Sequence, residues 1–417
     1  MRTSPLIAAA LAGCLTVPAT AWASSPARPP TARACALKGT TGWTDEGHDT
    51  DPVRFRRATG THRVLTLFAD FPDAQATGPT APYAAHLAPA AGWLRKASYG
   101  RARLEITPLH RWIRMPAPSA SYGFQRGLTF EAHERYLRDA VTAADPYADF
   151  SRYDMVYVVP AREASAIAFS PTYLFDPATP GVTADGTRIR WAVTFGQDMW
   201  RWGHKVAAHE TGHVFGLPDL YAFTGETHRH VGGWDLMGNI AGTAPQYLGW
   251  HSWKLGWTRD DQVACLAAPG RRTVRLTPVE RPGGTKIAVV RTGPAKAYVA
   301  ESRRAEGNDE DAPSTGVLIY EVDSATPTGE GPVRVVRPRA HAPGESFTDP
   351  AAGVRIDVVA GGRRGDGDVV RVVRLSPRAL SVVGATIVPN VTAASARLRV
   401  VPAGARKRSK SRAYRGQ

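Results

Sequence analysis

Residues 200–221 read WRWGHKVAAHETGHVFGLPDLY, and their interpretation governs that of everything around them. At the centre stand His209, Glu210 and His213, an HExxH spacing that has meaning only on a helix. At about 3.6 residues per turn, side chains four apart lie one above the other, so the two imidazoles can be offered to one tetrahedral metal ion. Glu210 then sits one step round the helix, where its carboxylate reaches a water held by such an ion rather than the ion itself. That is the place of a general base. No proline interrupts 203–215, so the spacing predicts a helix there.

A bare HExxH arises by chance in roughly one sequence in a hundred of this length and composition. The residues after it sharpen the reading. Gly216 can take a positive φ and turn the chain back, which lets the carboxylate of Asp219 swing to the same ion. HExxHxxGxxD is similar to the metzincin pattern, with Asp where a third His is usual. Glu226 and Asp235 are the nearest competing carboxylates. A thermolysin-like site would draw a glutamate from a second helix about 20 residues downstream, and the chain offers Gly232-Gly233-Trp234 there. The run 232–238, GGWDLMG, sets Met237 in a glycine-flanked turn, which resembles the apolar floor that metzincins place beneath the metal. Taken alone, Met237 would read as an ordinary core methionine.

Residues 1–23 read as a secretory signal: Arg2 supplies the charge, 6–17 the apolar run, and Ala21-Trp22-Ala23 the small-x-small cleavage site. Leu11-Ala12-Gly13-Cys14 also matches a bacterial lipoprotein box, so acylation at Cys14 is the alternative. No stretch elsewhere approaches about 18 uninterrupted apolar residues, and no transmembrane segment is expected. With the signal removed, Cys35 and Cys265 remain in a compartment that permits disulfides, and they are expected to pair; two unrelated buried thiols are the other reading.

The 417 residues suffice for two to three domains, and 43% hydrophobic content supports a sizeable core. The net charge of +15 accompanies a chain rich in Arg, Ala, Pro and Gly throughout. It therefore reads as a background bias rather than a nucleic-acid-binding surface. Only the tail concentrates cations without acids, at Arg406, Lys407, Arg408, Lys410, Arg412 and Arg415. A solvated end is the plainer reading there, and adhesion to anionic wall polymers the other.

Residues 24–60 read as an extended leader or short propeptide. From 61 to 262, strands at 63–71, 102–107, 111–115 and 154–159 alternate with helices at 83–97 and 130–144, and 189–195 reads as an edge strand leading to the metal helix. This predicts an α/β (α+β) domain with a twisted mixed sheet. Short β-like runs at 287–291, 297–301, 316–322, 333–336, 353–359 and 369–375, separated by Gly and Pro turns, predict an all-β, sandwich-like domain over 263–376. Residues 377–417 read as a short β extension and the basic tail.

The blocks HETGHVFGLPDLY, GGWDLMG and 248–257, LGWHSWKLGW, together resemble the M6 family of secreted metallopeptidases, the immune inhibitor A group. Shorter echoes at 71–73, 98–100, 301–303, 316–320 and 347–350 extend the resemblance over roughly residues 60–375. The resemblance implies a secreted bacterial endopeptidase acting on proteins or peptides; a monomer is expected. Its catalytic domain would be metzincin-like, followed by a β-rich one. Zn2+ would be held by His209, His213 and Asp219, with Glu210 as base and Met237 as the Met-turn residue.

His204, His228, His230, Tyr221 and Tyr247 lie near enough in sequence to contact substrate, though loop histidines and core or rim tyrosines are the plainer readings. Asp309-Glu310-Asp311 and Asp366-Gly367-Asp368 are candidate Ca2+ clusters, with solvated turns as the plainer reading. The rival function is a catalytically inactive binding protein for anionic cell-wall polymers. An intact Glu210 argues for the enzyme.

Overall fold

The computed structural model describes residues 31–39, 44–48, 50–125, 127–362 and 367–376. The signal segment with Cys14, Asp366, and the extension and basic tail from 377 onward lie outside the described residues.

In chain order the first half comprises β1 (Gly60–Asp70), α1 (Ala81–Leu87), α2 (Pro89–Ala97), β2 (Ala102–Arg114), α3 (Phe130–Ala144), β3 (Met155–Pro160), β4 (Thr172–Leu174), β5 (Val182–Ala184), β6 (Thr187–Ile189), β7 (Trp191–Thr194), α4 (Met199–Trp202), α5 (His204–Val214) and α6 (Gly249–Lys254). The main sheet runs β2-β1-β3-β7-β4. Its first four strands are parallel and β4 is antiparallel to β7, so the sheet is mixed. β1 sends Val64 and Phe68 into one core and Leu65, Leu67 and Ala69 into the other. A strand buried on both faces needs no polar alternation, which is why 63–71 reads as a near-continuous apolar run. Tyr136, Leu137, Ala140 and Val141 of α3 cover one face, and Val206, Ala207 and Val214 of α5 cover the other. The Thr129 side chain caps α3 by accepting from the Ala132 amide at 3.2 Å.

Three elements differ from the sequence reading. The helix over 83–97 is two helices, because Pro89 starts a new one at its first position. The two strands at 102–107 and 111–115 are one, β2, irregular opposite Thr66 and Phe68. The strand at 189–195 is not at the edge: β7 lies between β3 and β4 and is buried throughout, while the three-residue β4 forms the edge. Burial on both faces marks an interior strand, and strand order is a tertiary property that local periodicity does not carry.

The second half comprises β8 (Val263–Leu266), β9 (Gly270–Leu276), β10 (Ile287–Arg291), β11 (Lys296–Arg303), β12 (Gly316–Asp323), β13 (Val333–Val335), β14 (Ser346–Asp349), β15 (Val354–Ala360) and β16 (Asp368–Arg374). These form two sheets, β13-β12-β11-β10-β8 and β14-β15-β16-β9. Val290, Ala300 and Ile319 of the first share a core with Leu276, Ile356 and Val370 of the second. The other face of the first sheet, through Val289, Val299 and Tyr320, belongs to the same core as α5 and Met237. The five-stranded sheet is therefore buried on both sides, and apolar packing runs unbroken from the first half of the chain to the second.

Where it is described, the stretch 24–60 packs against the rest of the chain. Cys35, Leu37 and Phe55 are buried, and Cys35 is disulfide-bonded to Cys265 on β8. Glu46 is buried against His251 of α6. Few apolar residues, each filling a slot between larger elements, anchor a segment whose Pro, Gly and charge content resembles a linker. No helix among the described residues is long and apolar enough to cross a membrane.

Candidate metal centre

α5 ends at Val214, and Gly216, with φ of +95°, turns the chain back as its position required. A side chain here would meet Thr50 2.8 Å away as well as strain the backbone. The turn brings the Leu217 oxygen to 2.8 Å from Nδ1 of His213, and the later run 232–238 places the Leu236 oxygen 3.0 Å from Nδ1 of His209. A carbonyl only accepts, so both Nδ1 atoms carry hydrogen and both Nε2 atoms of the neutral rings are left as lone-pair donors. Asp219 Oδ1 lies 3.1 Å from His213 Nε2 and 3.3 Å from His209 Nε2. His209 Nε2 and Asp219 Oδ1 are buried and without a hydrogen bond of good geometry. Donor atoms of His209, Glu210 and His213 lie within 4.8 Å of one another, close enough to hold a metal ion; theirs is the one such group found among the described residues. Asp219 Oδ1 sits nearer still to both imidazoles.

Glu210 is buried, and its carboxylate has a dedicated partner, since Thr172 Oγ1 on β4 lies 2.8 Å from Oε2. Its other oxygen is not tied up in this way. Met237 is fully buried beneath α5, where a methyl group added to Gly212 would lie 2.9 Å from its sulfur and 2.8 Å from the Tyr247 hydroxyl. Glycine at 212 is what permits this approach. The Met237 amide donates to Asp235 Oδ1 at 2.7 Å, and the next backbone tie comes from the Leu220 amide to the Met237 carbonyl at 2.9 Å.

Asp235 is thereby explained without a metal. Its Oδ2 accepts from the Leu248 amide at 2.7 Å and from His251 Nδ1 at 2.8 Å, and His251 Nε2 donates onward to Glu46 Oε1 at 3.0 Å. Burial opposes charge on His251, but Glu46 and Asp235 more than offset it and raise its pKa to about 10. Burial pushes Glu210 up to about 7 against the pull of His209 and His213. Burial would lower His213, yet the Asp219 carboxylate prevails and raises it to about 9. Burial likewise resists ionisation of Asp219, but His213 and His209 hold it well below the usual carboxylate range.

Glu226 is exposed and accepts from the His228 amide at 3.1 Å. His204 opens α5 half-buried, with its pKa lowered by burial, and His228 is exposed. His230 is buried, unlike the exposed loop residue expected. The Tyr221 ring lies near-parallel to His209, with centroids 6.4 Å apart, whereas the Tyr247 hydroxyl is buried and donates to the Ala208 carbonyl at 2.9 Å. Two of the candidate calcium acids are engaged by the protein itself. Asp309 is buried, accepting from the Gln246 amide at 2.7 Å and pairing with Arg303 at 2.5 Å, and Asp368 accepts from Ser302 and Arg304 at 2.7 and 2.8 Å.

Thr172, Glu46 and His251 escaped the sequence reading. His251 alone carried a signal, as a histidine inside the apolar run LGWHSWKLGW that must find buried partners. No family model matches the chain, and no curated protein matches it.

Proposed function

We propose that the chain is an exported zinc-dependent endopeptidase of metzincin type, related to the M6 group. The observation that carries this reading is the convergence of His209 Nε2, His213 Nε2 and Asp219 Oδ1, with both Nδ1 atoms engaged by carbonyls and two of the three converging atoms otherwise unpartnered. Two neutral imidazoles and one carboxylate, oriented from behind, fit a borderline cation such as zinc, and a short donor set leaves room for water and substrate. The Cys35–Cys265 disulfide supports an oxidising compartment.

Bound zinc would supply Lewis acidity to a water and to the scissile carbonyl. His209, His213 and Asp219 would hold it. Glu210 accepts a proton from the attacking water through the oxygen that Thr172 leaves free, and then delivers it to the departing amine. Its burial, which disfavours the carboxylate, makes it a stronger base than an exposed glutamate. Met237 closes the site from below and excludes water from that side.

Casein hydrolysis by the purified chain, with zinc content measured in parallel, tests the proposal. Activity that a chelator abolishes and zinc restores is expected. A zinc-loaded, folded chain that cleaves neither casein nor gelatin would overturn it.

A further inference from the structure

The turn between β12 and β13 reaches back across the molecule to the segment carrying Asp219. The Asp219 amide donates to Thr328 Oγ1 at 2.8 Å, and the Gly329 amide donates to the Asp219 carbonyl at 3.1 Å. Both backbone polar groups of Asp219 are thus held by one turn of the second half of the chain. The contact continues on either side: the Phe223 amide donates to the Gly329 carbonyl at 3.0 Å, and the Val335 amide to the His230 carbonyl at 3.0 Å. The turn itself is closed by the Glu330 amide on the Pro327 carbonyl at 3.1 Å, with Gly329 at φ of +72° in its third position. That geometry suits a glycine and leaves the Thr328 hydroxyl and the Gly329 peptide facing Asp219.

We infer that Thr328 is a positioning residue for Asp219, and that the β12–β13 turn clamps the metal centre from the β-rich half of the chain. The inference rests on the reading of Asp219 as the third ligand. A carboxylate on a loop loses rotational and translational freedom when it binds metal, and a loop pinned at both peptide groups has already lost much of it. Thr328 fixes where the Asp219 main chain sits, Leu220 ties the next residue to the Met237 carbonyl at 2.9 Å, and only the carboxylate remains to meet the two imidazoles. The β-rich half is then part of the centre rather than an appendage.

The test uses the full chain, stripped of metal and titrated with Zn2+ against a chromophoric chelator, with visible absorption of the Co2+ form as a second readout. Thr328→Val keeps the shape and removes the acceptor. It is expected to weaken zinc binding about ten- to a hundredfold and to alter the Co2+ bands, while Thr328→Ser stays within about threefold of the parent. Asp219→Ala runs alongside. If Asp219→Ala is weakened and Thr328→Val binds like the parent with an unchanged Co2+ spectrum, the clamp is overturned and the ligand assignment stands. If Asp219→Ala itself binds like the parent, the ligand assignment falls and the inference with it. Should Thr328→Val fail to fold, Gly329→Ala carries the same measurement. It retains the hydroxyl but its methyl would overlap the Phe223 ring and push the turn away, and the same weakening is expected.

Discussion

The Thr172 hydroxyl oxygen lies 2.8 Å from Glu210 Oε2 and 2.9 Å from the Glu210 carbonyl oxygen, so one residue of the edge strand touches both the side chain and the backbone of the proposed base. Its single proton can serve only one of them at a time. When it goes to Oε2 it holds the Glu210 carboxylate against the edge strand.

Binding and chemistry should therefore separate at Glu210. Glu210→Gln is expected to fold and retain zinc like the parent, and to hydrolyse casein at least roughly a hundredfold more slowly. Thr172→Val removes the orienting hydrogen bond alone and is expected to lower kcat by about tenfold. Metal analysis beside initial rates checks both; near-normal proteolysis by Glu210→Gln would refute the assignment of roles.

The ligand set makes a second prediction. Asp219→Ala is expected to lower zinc affinity by roughly one to several orders of magnitude. Glu226→Ala, at an exposed position, should keep stoichiometric metal after dialysis. Equilibrium dialysis against a graded chelator buffer distinguishes them, and full occupancy in Asp219→Ala would sink the assignment.

Stability should depend on pH through His251. Its folded pKa is raised to about 10 from an ordinary value of 6.5, so its contribution is fully present below pH 6.5 and is lost as pH rises towards 10. A shift of that size corresponds to a contribution of about 5 kcal/mol. Between pH 7 and 10 the melting temperature of the parent is expected to fall more steeply than that of His251→Gln. Subtracting the two curves removes other titrating groups, and parallel curves would contradict the prediction. Asp235→Ala strips partners from His251 and from the Met237 and Leu248 amides at once, and is expected to destabilise by about 3 to 5 kcal/mol.

The disulfide closes a loop with a sequence separation of 230. Chain-entropy estimates give roughly 4 to 5 kcal/mol for such a loop. The denatured, unreduced chain should show no free Cys35 or Cys265 thiol, and Cys35→Ser paired with Cys265→Ser should melt well below the parent. Two titratable thiols before reduction would rule the bond out.

How much of this was legible in sequence depends on whether the cause was local. β1, α3 and β3 announce themselves because apolar spacing and a Thr129 cap are properties of neighbouring residues. The approach of His209 to His213 follows from helical pitch, and the turn at Gly216 from its lack of a side chain. The interior place of β7 was hidden because strand order depends on partners distant in the chain. Glu46 and His251 are separated by 205 positions, and Asp219 and Thr328 by 109, so nothing near either member of a pair points to the other. The packing of the described part of 24–60 was hidden for a compositional reason, since a segment tied down through Cys35, Leu37, Glu46, His48 and Phe55 has the amino-acid content of a linker.

The unbroken core and these long pairings also dictate a chronology. A chain emerges from the ribosome with Cys35 and Glu46 first, HETGH much later, His251 and Cys265 after that, and Thr328 last of all. A chain stopped just past Asp219 possesses every residue of HExxHxxGxxD yet has nothing to receive Cys35, nothing to neutralise Glu46, and no Thr328 to hold the Asp219 amide. The centre is thus assembled late, by closure of the two ends of the molecule around a helix made in the middle, and an unfinished copy of the chain carries the motif without the machine.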